Sequence, residues 1–298
     1  MNADADDGLP TLGFIGLGAM GGPMAANLLA AGYPLTAFDI AADRLDAAVE
    51  AGAARGESAA AVVARGEIVL TSLRSSAVWV EVAEGELIPN AREGQVFIDL
   101  GTVAPPATRR LAAAFAAKGA SLLDVPVSGG PGGSASGTLR MFAGGHRAVY
   151  DRCWPLLEVL GDPERIVYMG PSGAGQVAKG VNQLAMGLAD AAYLEALAFG
   201  VRAGIDPEAL AQAVGGDEGW RGHFARLAKR VARGEGESCY VKFPELPYFL
   251  AEAAERGQPM PLMEALHIFC SAVEPYSHDN MRRPTVALWR ELMTRERE

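Results

Sequence analysis

The sequence predicts an α/β fold, a doubly wound and mostly parallel sheet followed by an all-helical domain, with one long interdomain helix joining the two. Three observations carry that prediction. Short β-prone runs alternate with helical stretches from Thr11 to about Met169, the pattern of a parallel sheet covered by helices on both faces. The first run leads directly into a glycine turn and a helix start. Beyond Gly170-Pro171-Ser172-Gly173 the strand signal ceases and apolar residues recur at helical spacing. The expected domains are residues 1–173 and 174–298.

The first strand, Leu12 to Ile15, runs into Gly16-Leu17-Gly18-Ala19-Met20-Gly21 and then a helix. Gly16 allows the tight turn, Gly18 lets backbone approach an anion with no Cβ in the way, and Gly21 lets the helix pack close to the strand. The helix N-terminus presents unpaired N–H groups and a partial positive charge. That order suits a dinucleotide pyrophosphate and makes the sheet Rossmann-type. Such spacing also arises by chance in a chain with 36 glycines, so the flanking strand and helix patterns carry the inference. The second strand, Leu35 to Phe38, ends at Asp39. This lies on the order of 20 residues past the glycines, where a carboxylate binds the adenosine ribose hydroxyls and repels a 2′-phosphate. Ile40-Ala41-Ala42 offers no arginine, and Arg44 falls on the next helix, so NAD is expected over NADP. Strands at Ile68 to Thr71, Val96 to Asp99, Leu122 to Val125, Leu139 to Ala143 and Ile166 to Met169 complete the sheet. Ligands should gather at the carboxyl ends of the strands, where Gly16, Asp39, Leu73, Thr102 and Ser128 fall.

Two later segments suggest chemistry. The run from Asp124 to Leu139 contains Ser128-Gly129-Gly130, whose backbone N–H groups beside a hydroxyl could hold a carboxylate; a flexible loop between strands is the equally weighted alternative. The helix expected from Ala174 to Ala203 carries Lys179 and Asn182, three residues apart and so on one face. A helix lysine is normally a solvated charge. Here the neighbours are small or apolar, and the helix starts where the cofactor domain ends, so the amine is expected in an interdomain cleft. Burial and an oxidised nicotinamide would lower its pKa and make it a proton acceptor. Gly215-Gly216, Gly234 to Gly236, Pro244, Pro247 and Pro259 punctuate the shorter helices, the last expected from Pro284 to Arg295.

Composition sets outer bounds. The 298 residues are 50% hydrophobic, enough to bury a core. With 36 acidic against 26 basic residues the net charge is −10, which argues against nonspecific binding to nucleic acid or to an anionic membrane. Cys153, Cys239 and Cys270 are widely spaced and odd in number, and His146, His223, His267 and His278 are scattered. Reduced structural thiols and no metal are expected. The acidic start lacks the features of a signal peptide, and no apolar run is expected to reach membrane-spanning length. A soluble, cytoplasmic protein follows as the expectation.

Three motifs in order, Gly-Phe-Ile-Gly-Leu-Gly-Ala-Met-Gly at 13–21, Asp-Val-Pro-Val-Ser-Gly-Gly at 124–130 and Gly-Ala-Gly-Gln-Val-Ala-Lys-Gly-Val-Asn at 173–182, resemble those of the β-hydroxyacid dehydrogenases. The likeness runs from about Leu12 to Ala211 and weakens beyond. It implies NAD-dependent hydride transfer between nicotinamide and a short 3-hydroxy acid or its semialdehyde. It also implies that Ser128, Gly129 and Gly130 bind the substrate carboxylate, that Lys179 is the acid/base and that Asn182 orients the reacting group. The chain departs from the family pattern at Gly101 before Thr102, at Arg74, and at Pro244-Glu245, where the family carries a lysine-aspartate pair. Lys242 stands two positions early. Arg221, in Gly219-Trp220-Arg221-Gly222-His223, is the candidate for reading the distal end of the substrate, with a surface arginine as the alternative. A cofactor-binding scaffold without turnover and an imine-reductase-like enzyme are the rival functions. The apolar helices around Ala189 to Val201 and Leu246 to Ala254 suggest a homodimer or homotetramer.

Overall fold

The computed structural model describes residues 8–233 and 245–273, the side chains of 269–273 excepted. The chain divides into two compact units, Met1–Lys179 and Gly180–Glu298. The division falls inside the long helix rather than at 173/174, because the first turns of that helix bond to the sheet of the first unit.

That sheet has nine strands: β1 (Leu12–Ile15), β2 (Leu35–Phe38), β3 (Ala54–Arg55), β4 (Ile68–Thr71), β5 (Val96–Asp99), β6 (Ser121–Asp124), β7 (Val127–Ser128), β8 (Leu139–Gly144) and β9 (Gly161–Gly170). Their order is β3-β2-β1-β4-β5-β6-β8-β7, with β9 on β8. From β3 across to β6 every pairing is parallel. Strand β8 runs antiparallel to β6 and β7 and parallel to β9. The doubly wound, mostly parallel prediction therefore holds. Two strands went unforeseen because β3 and β7 have two residues each, too short to show a period. Strand β9 starts earlier than expected, through Asp162 and Pro163, because pairing Gly161 with Leu139 outweighs a local sequence that favours a turn.

Alternate strand residues serve two cores. Leu12, Phe14, Leu70, Ile98 and Leu123 pack with Met24, Leu28, Leu156 and Leu157 on one face. Ile15, Val69, Phe97 and Leu122 pack with Val62, Trp79, Leu111 and Phe115 on the other. A strand covered on both sides reads as an unbroken apolar run, which is why these short segments were recognisable. Cys153 is a free, buried thiol, and burial pushes its pKa up to about 11, so it packs as a small hydrophobe.

The second unit continues the helix Ala174–Arg202 and adds helices Pro207–Val214, Gly219–Arg233, Leu246–Glu255 and Pro261–Val273. Leu194, Leu197, Phe224, Leu227, Val231, Leu246, Phe249 and Met263 form its core. Among the described residues this unit contains no strand. Cys239, Lys242, Pro244, His278, the Gly234 to Gly236 break and the helix from Pro284 to Arg295 lie outside the described residues, as does the side chain of Cys270.

One expectation is overturned. Helix Ala174–Arg202 is 29 residues long and holds a stretch of mean hydropathy 1.4, so one apolar run does reach membrane-spanning length. Lys179, Gln183 and Asp190 interrupt the run in the sequence. Gln176, Lys179 and Gln183 are buried within the protein, while only 22% of the apolar stretch is.

Candidate active site

The glycine turn lies where the strand order reverses about β1. Gly16 has φ +94, and a Cβ there would stand 2.4 Å from the Ser72 carbonyl oxygen at the end of β4. Its N–H donates to the Phe38 carbonyl of β2 at 3.0 Å, and the Leu73 side chain lies 3.0 Å from the same Cβ position. A Cβ on Gly21 would fall 1.9 Å from the Gly16 oxygen, so the helix start can sit against the turn only without a side chain. At Gly18 the nearest atom to a Cβ is an Arg44 guanidinium nitrogen, 3.7 Å away. Ala19 is exposed at the tip. Met20 closes the turn, its carbonyl accepting from the buried Ser134 hydroxyl at 2.6 Å.

Asp39 completes this cradle. Its carboxylate accepts the Leu17 N–H at 2.6 Å and the Ala41 N–H at 2.8 Å. Each oxygen keeps a lone pair for a ligand hydroxyl. Open backbone at Gly18 and a fixed carboxylate at the end of β2 fit the pyrophosphate and ribose of a nicotinamide dinucleotide. Arg44 does sit on the next helix, Ala42–Glu50, as the sequence indicates, yet side chains in a first turn point back toward the helix N-terminus, and that brings its guanidinium to Gly18.

Lys179 is 8% exposed, and its Nζ donates to the Val127 carbonyl at 2.8 Å. The amine therefore lies against β7, beside Ser128. Ser128 is half-buried, and Gly129 and Gly130 are exposed with φ +140 and +62, starting a short helix, Gly130–Ser136. The flexible-loop alternative fails here. This helix is tied to the cofactor turn by the Ser134 hydroxyl and to the helix that follows the turn, Gly21–Ala30, by Asn27 Nδ2, which donates to the Ser134 carbonyl at 2.9 Å. Ser134 was missed in the sequence; a serine within a glycine run carries no signal of its partner.

The N-terminus of the lysine helix is capped from the sheet. Asp124, fully buried at the end of β6, accepts the Gly173 N–H at 2.8 Å and the Gln176 N–H at 3.0 Å. Asp99 is its register neighbour on β5; it accepts the Thr71 hydroxyl at 3.0 Å and the Gly101 N–H at 3.1 Å. Trp79 in turn donates to the Thr71 oxygen at 2.8 Å. Burial pushes the Asp99 carboxyl up to about 8, its backbone and hydroxyl donors pulling the other way and Asp124 adding to the rise. Burial likewise raises Asp124 to about 6 against its backbone donors. Thr102 follows Gly101 on the same loop and is half-buried.

In the second unit, Asn182 is half-buried and its Nδ2 donates weakly to Met186 Sδ at 3.9 Å. Its neighbour Gln183 is 6% exposed, with Nε2 3.5 Å from a Glu245 carboxylate oxygen and Oε1 buried without a hydrogen-bond partner. Arg221 donates to the Val214 carbonyl at 2.8 Å, and its guanidinium lies 4.6 Å from the Trp220 ring centre. It thus caps helix Pro207–Val214, a local duty sufficient to explain it. Arg74 is exposed. Asp190, raised by burial, is held by His223.

A dinucleotide cradle with a buried lysine amine beside a serine-glycine strand end defines a nicotinamide-dependent class of protein. Two family models match the chain: the NAD binding domain of 6-phosphogluconate dehydrogenase over residues 11–170 and the NAD-binding domain of NADP-dependent 3-hydroxyisobutyrate dehydrogenase over residues 173–279. A 2-(hydroxymethyl)glutarate dehydrogenase from Eubacterium barkeri is 35% identical over 84% of this chain and 85% of its own length. A 3-hydroxyisobutyrate dehydrogenase from Pseudomonas aeruginosa is 41% identical over 67% of both. The solved structure of Mycobacterium tuberculosis 3-hydroxyisobutyrate dehydrogenase with L-serine superposes with a TM-score of 0.78 at 27% identity, covering 96% of this chain and 98% of that one. The chain belongs to the β-hydroxyacid dehydrogenase family, and NAD is its cofactor.

Proposed function

We propose that this protein transfers a hydride between NAD and a short 3-hydroxy acid, or the matching semialdehyde, with Lys179 as general acid/base. The observation that carries the proposal is the buried Lys179 amine bonded to Val127, next to Ser128. When bound, the nicotinamide accepts or supplies the hydride. Ser128 and the exposed backbone of Gly129 and Gly130 receive the substrate carboxylate. Neutral Lys179 Nζ takes the proton of the substrate hydroxyl; in the reverse direction its ammonium returns that proton to the developing alkoxide. Asn182 orients the reacting group, and the unpartnered Gln183 Oε1 offers a second acceptor on the same helix. The hydroxyacid dehydrogenases among the relatives, and the bound L-serine of one of them, itself a 3-hydroxy acid, support this substrate class. The Asp39 carboxylate supports NAD over NADP.

The test is a panel of 3-hydroxyisobutyrate, 3-hydroxypropionate, glycerate, serine and threonate with NAD, followed by nicotinamide absorbance. Turnover is expected with the native chain, and Lys179→Ala should lose about 100- to 10,000-fold of it while binding NAD normally. NAD binding without turnover on any substrate would instead identify a scaffold or sensor.

A further inference from the structure

Gln176 is fully buried one turn ahead of Lys179, and its side chain and backbone hold two different parts of the sheet. Its Oε1 accepts the Val103 N–H at 3.0 Å, and its Nε2 donates to the Gly101 carbonyl at 3.0 Å and lies 3.5 Å from Asp99 Oδ2. Its own N–H goes to Asp124 at 3.0 Å. The loop so gripped is Gly101-Thr102-Val103, which follows β5 and carries Thr102, a residue expected from the sequence at the cofactor. The planar amide offers a donor and an acceptor on one head, and it meets the Gly101 carbonyl and the Val103 N–H together.

The approach is close enough to be exacting. A Cβ on Gly175 would fall 2.2 Å from the Phe142 carbonyl oxygen, and one on Gly144 would fall 2.7 Å from both Asp124 oxygens and from the Gly175 nitrogen. Glycine at both places lets the helix N-terminus descend onto β6 and β8. From Gln176 onward the helix is continuous, so any displacement at Gln176 is carried to Lys179.

We propose that Gln176 is a positioning residue, setting the Lys179 amine relative to the cofactor loop through its paired bonds to Gly101 and Val103. This rests on the acid/base reading of Lys179. A misplacement near 1 Å costs about 100-fold in a reacting geometry, and the Gln176 bonds hold the lysine helix against a shift of that size.

Gln176→Ala and Gln176→Glu in the full chain test it. Glutamate keeps the acceptor for Val103 and, when ionised, loses the donor to Gly101. The measurements are kcat and KM, the isotope effect with substrate deuterated at the carbinol carbon, NAD affinity by calorimetry, melting, and hydrogen exchange of the Val103 amide in the cofactor-free protein. In both variants kcat is expected to fall about 10- to 100-fold, with NAD affinity and KM little changed, a larger isotope effect and faster Val103 exchange. A merely structural residue would lower melting and leave the kcat of folded protein intact. Unchanged kcat in either folded variant, alongside an inactive Lys179→Ala, overturns the proposal. Full turnover in Lys179→Ala overturns the acid/base reading first, a separate result. Failure of both glutamine variants to fold assigns Gln176 to helix seating alone and likewise overturns it.

Discussion

Asp39 shows how a single carboxylate can serve both fold and ligand. Two backbone amides hold it in place, so its remaining lone pairs are directed without further ordering. Asp39→Ala removes a charge-assisted hydrogen bond worth ~1.5–3 kcal/mol and should weaken NAD about 10- to 100-fold, with a smaller loss for NADP. Titration with both dinucleotides measures it, and equal losses for the two would contradict a role in choosing between them. Arg44→Ala, by contrast, should weaken both cofactors alike, because its guanidinium lies beside Gly18, where the shared pyrophosphate approaches. At this scale the sequence pointed to the glycines and Asp39 through spacing, and to Lys179 through its small and apolar neighbours and the motif at 173–182. It hid the approach of Arg44 to Gly18 and the roles of Ser134, Gln176 and Gln183, whose partners are distant along the chain.

The elements that matter most are the strand ends β5 and β6 and the helix they cap. Asp99 is raised from 3.8 to about 8 on folding, so the native state holds a proton that the unfolded chain releases. The associated stability is fully present below the unfolded value and is lost as pH rises through the folded value near 8. Asp99→Asn should therefore remove a decline of up to about 1.4 kcal/mol per pH unit across that window. Urea unfolding at a series of pH values checks this; a variant whose stability declines with pH as steeply as the native chain would exclude Asp99 as the source. Gly175→Ala belongs to the same element. The added methyl meets the Phe142 carbonyl, and overpacking of this kind costs about 1–3 kcal/mol, visible as lowered melting, with Gly132→Ala, where a Cβ meets open space, as the tolerated control. Strand and helix identity were legible beforehand because buried parallel strands are short apolar runs and helices keep their own period. The Asp124 cap was not, since its donors at Gly173 and Gln176 follow it by 49 and 52 residues.

For the whole molecule, the helical unit leaves apolar surface uncovered: Phe199 is 80% exposed, Leu262 72% and Ile268 68%. Surface of this kind is expected to be covered by a second copy, and we propose a homodimer or homotetramer assembled through this unit. Light scattering after size exclusion should report a multiple of 31.1 kDa; a monomer at micromolar concentration would refute the assembly. Phe199→Glu should shift the equilibrium toward monomer without unfolding the first unit.

Periodicity and glycine spacing, both local properties, were enough to determine the parallel sheet, the cofactor turn and the change to helices after Gly173. Tertiary structure alone decided where the first compact unit ends, that Lys179 bonds to Val127, and that Asp124 and Gln176 fasten its helix to the sheet. The reason is physical. Secondary structure follows from interactions within a few residues, whereas burial of an amine or a carboxyl depends on hydrogen bonds that form only when strands distant in sequence come together.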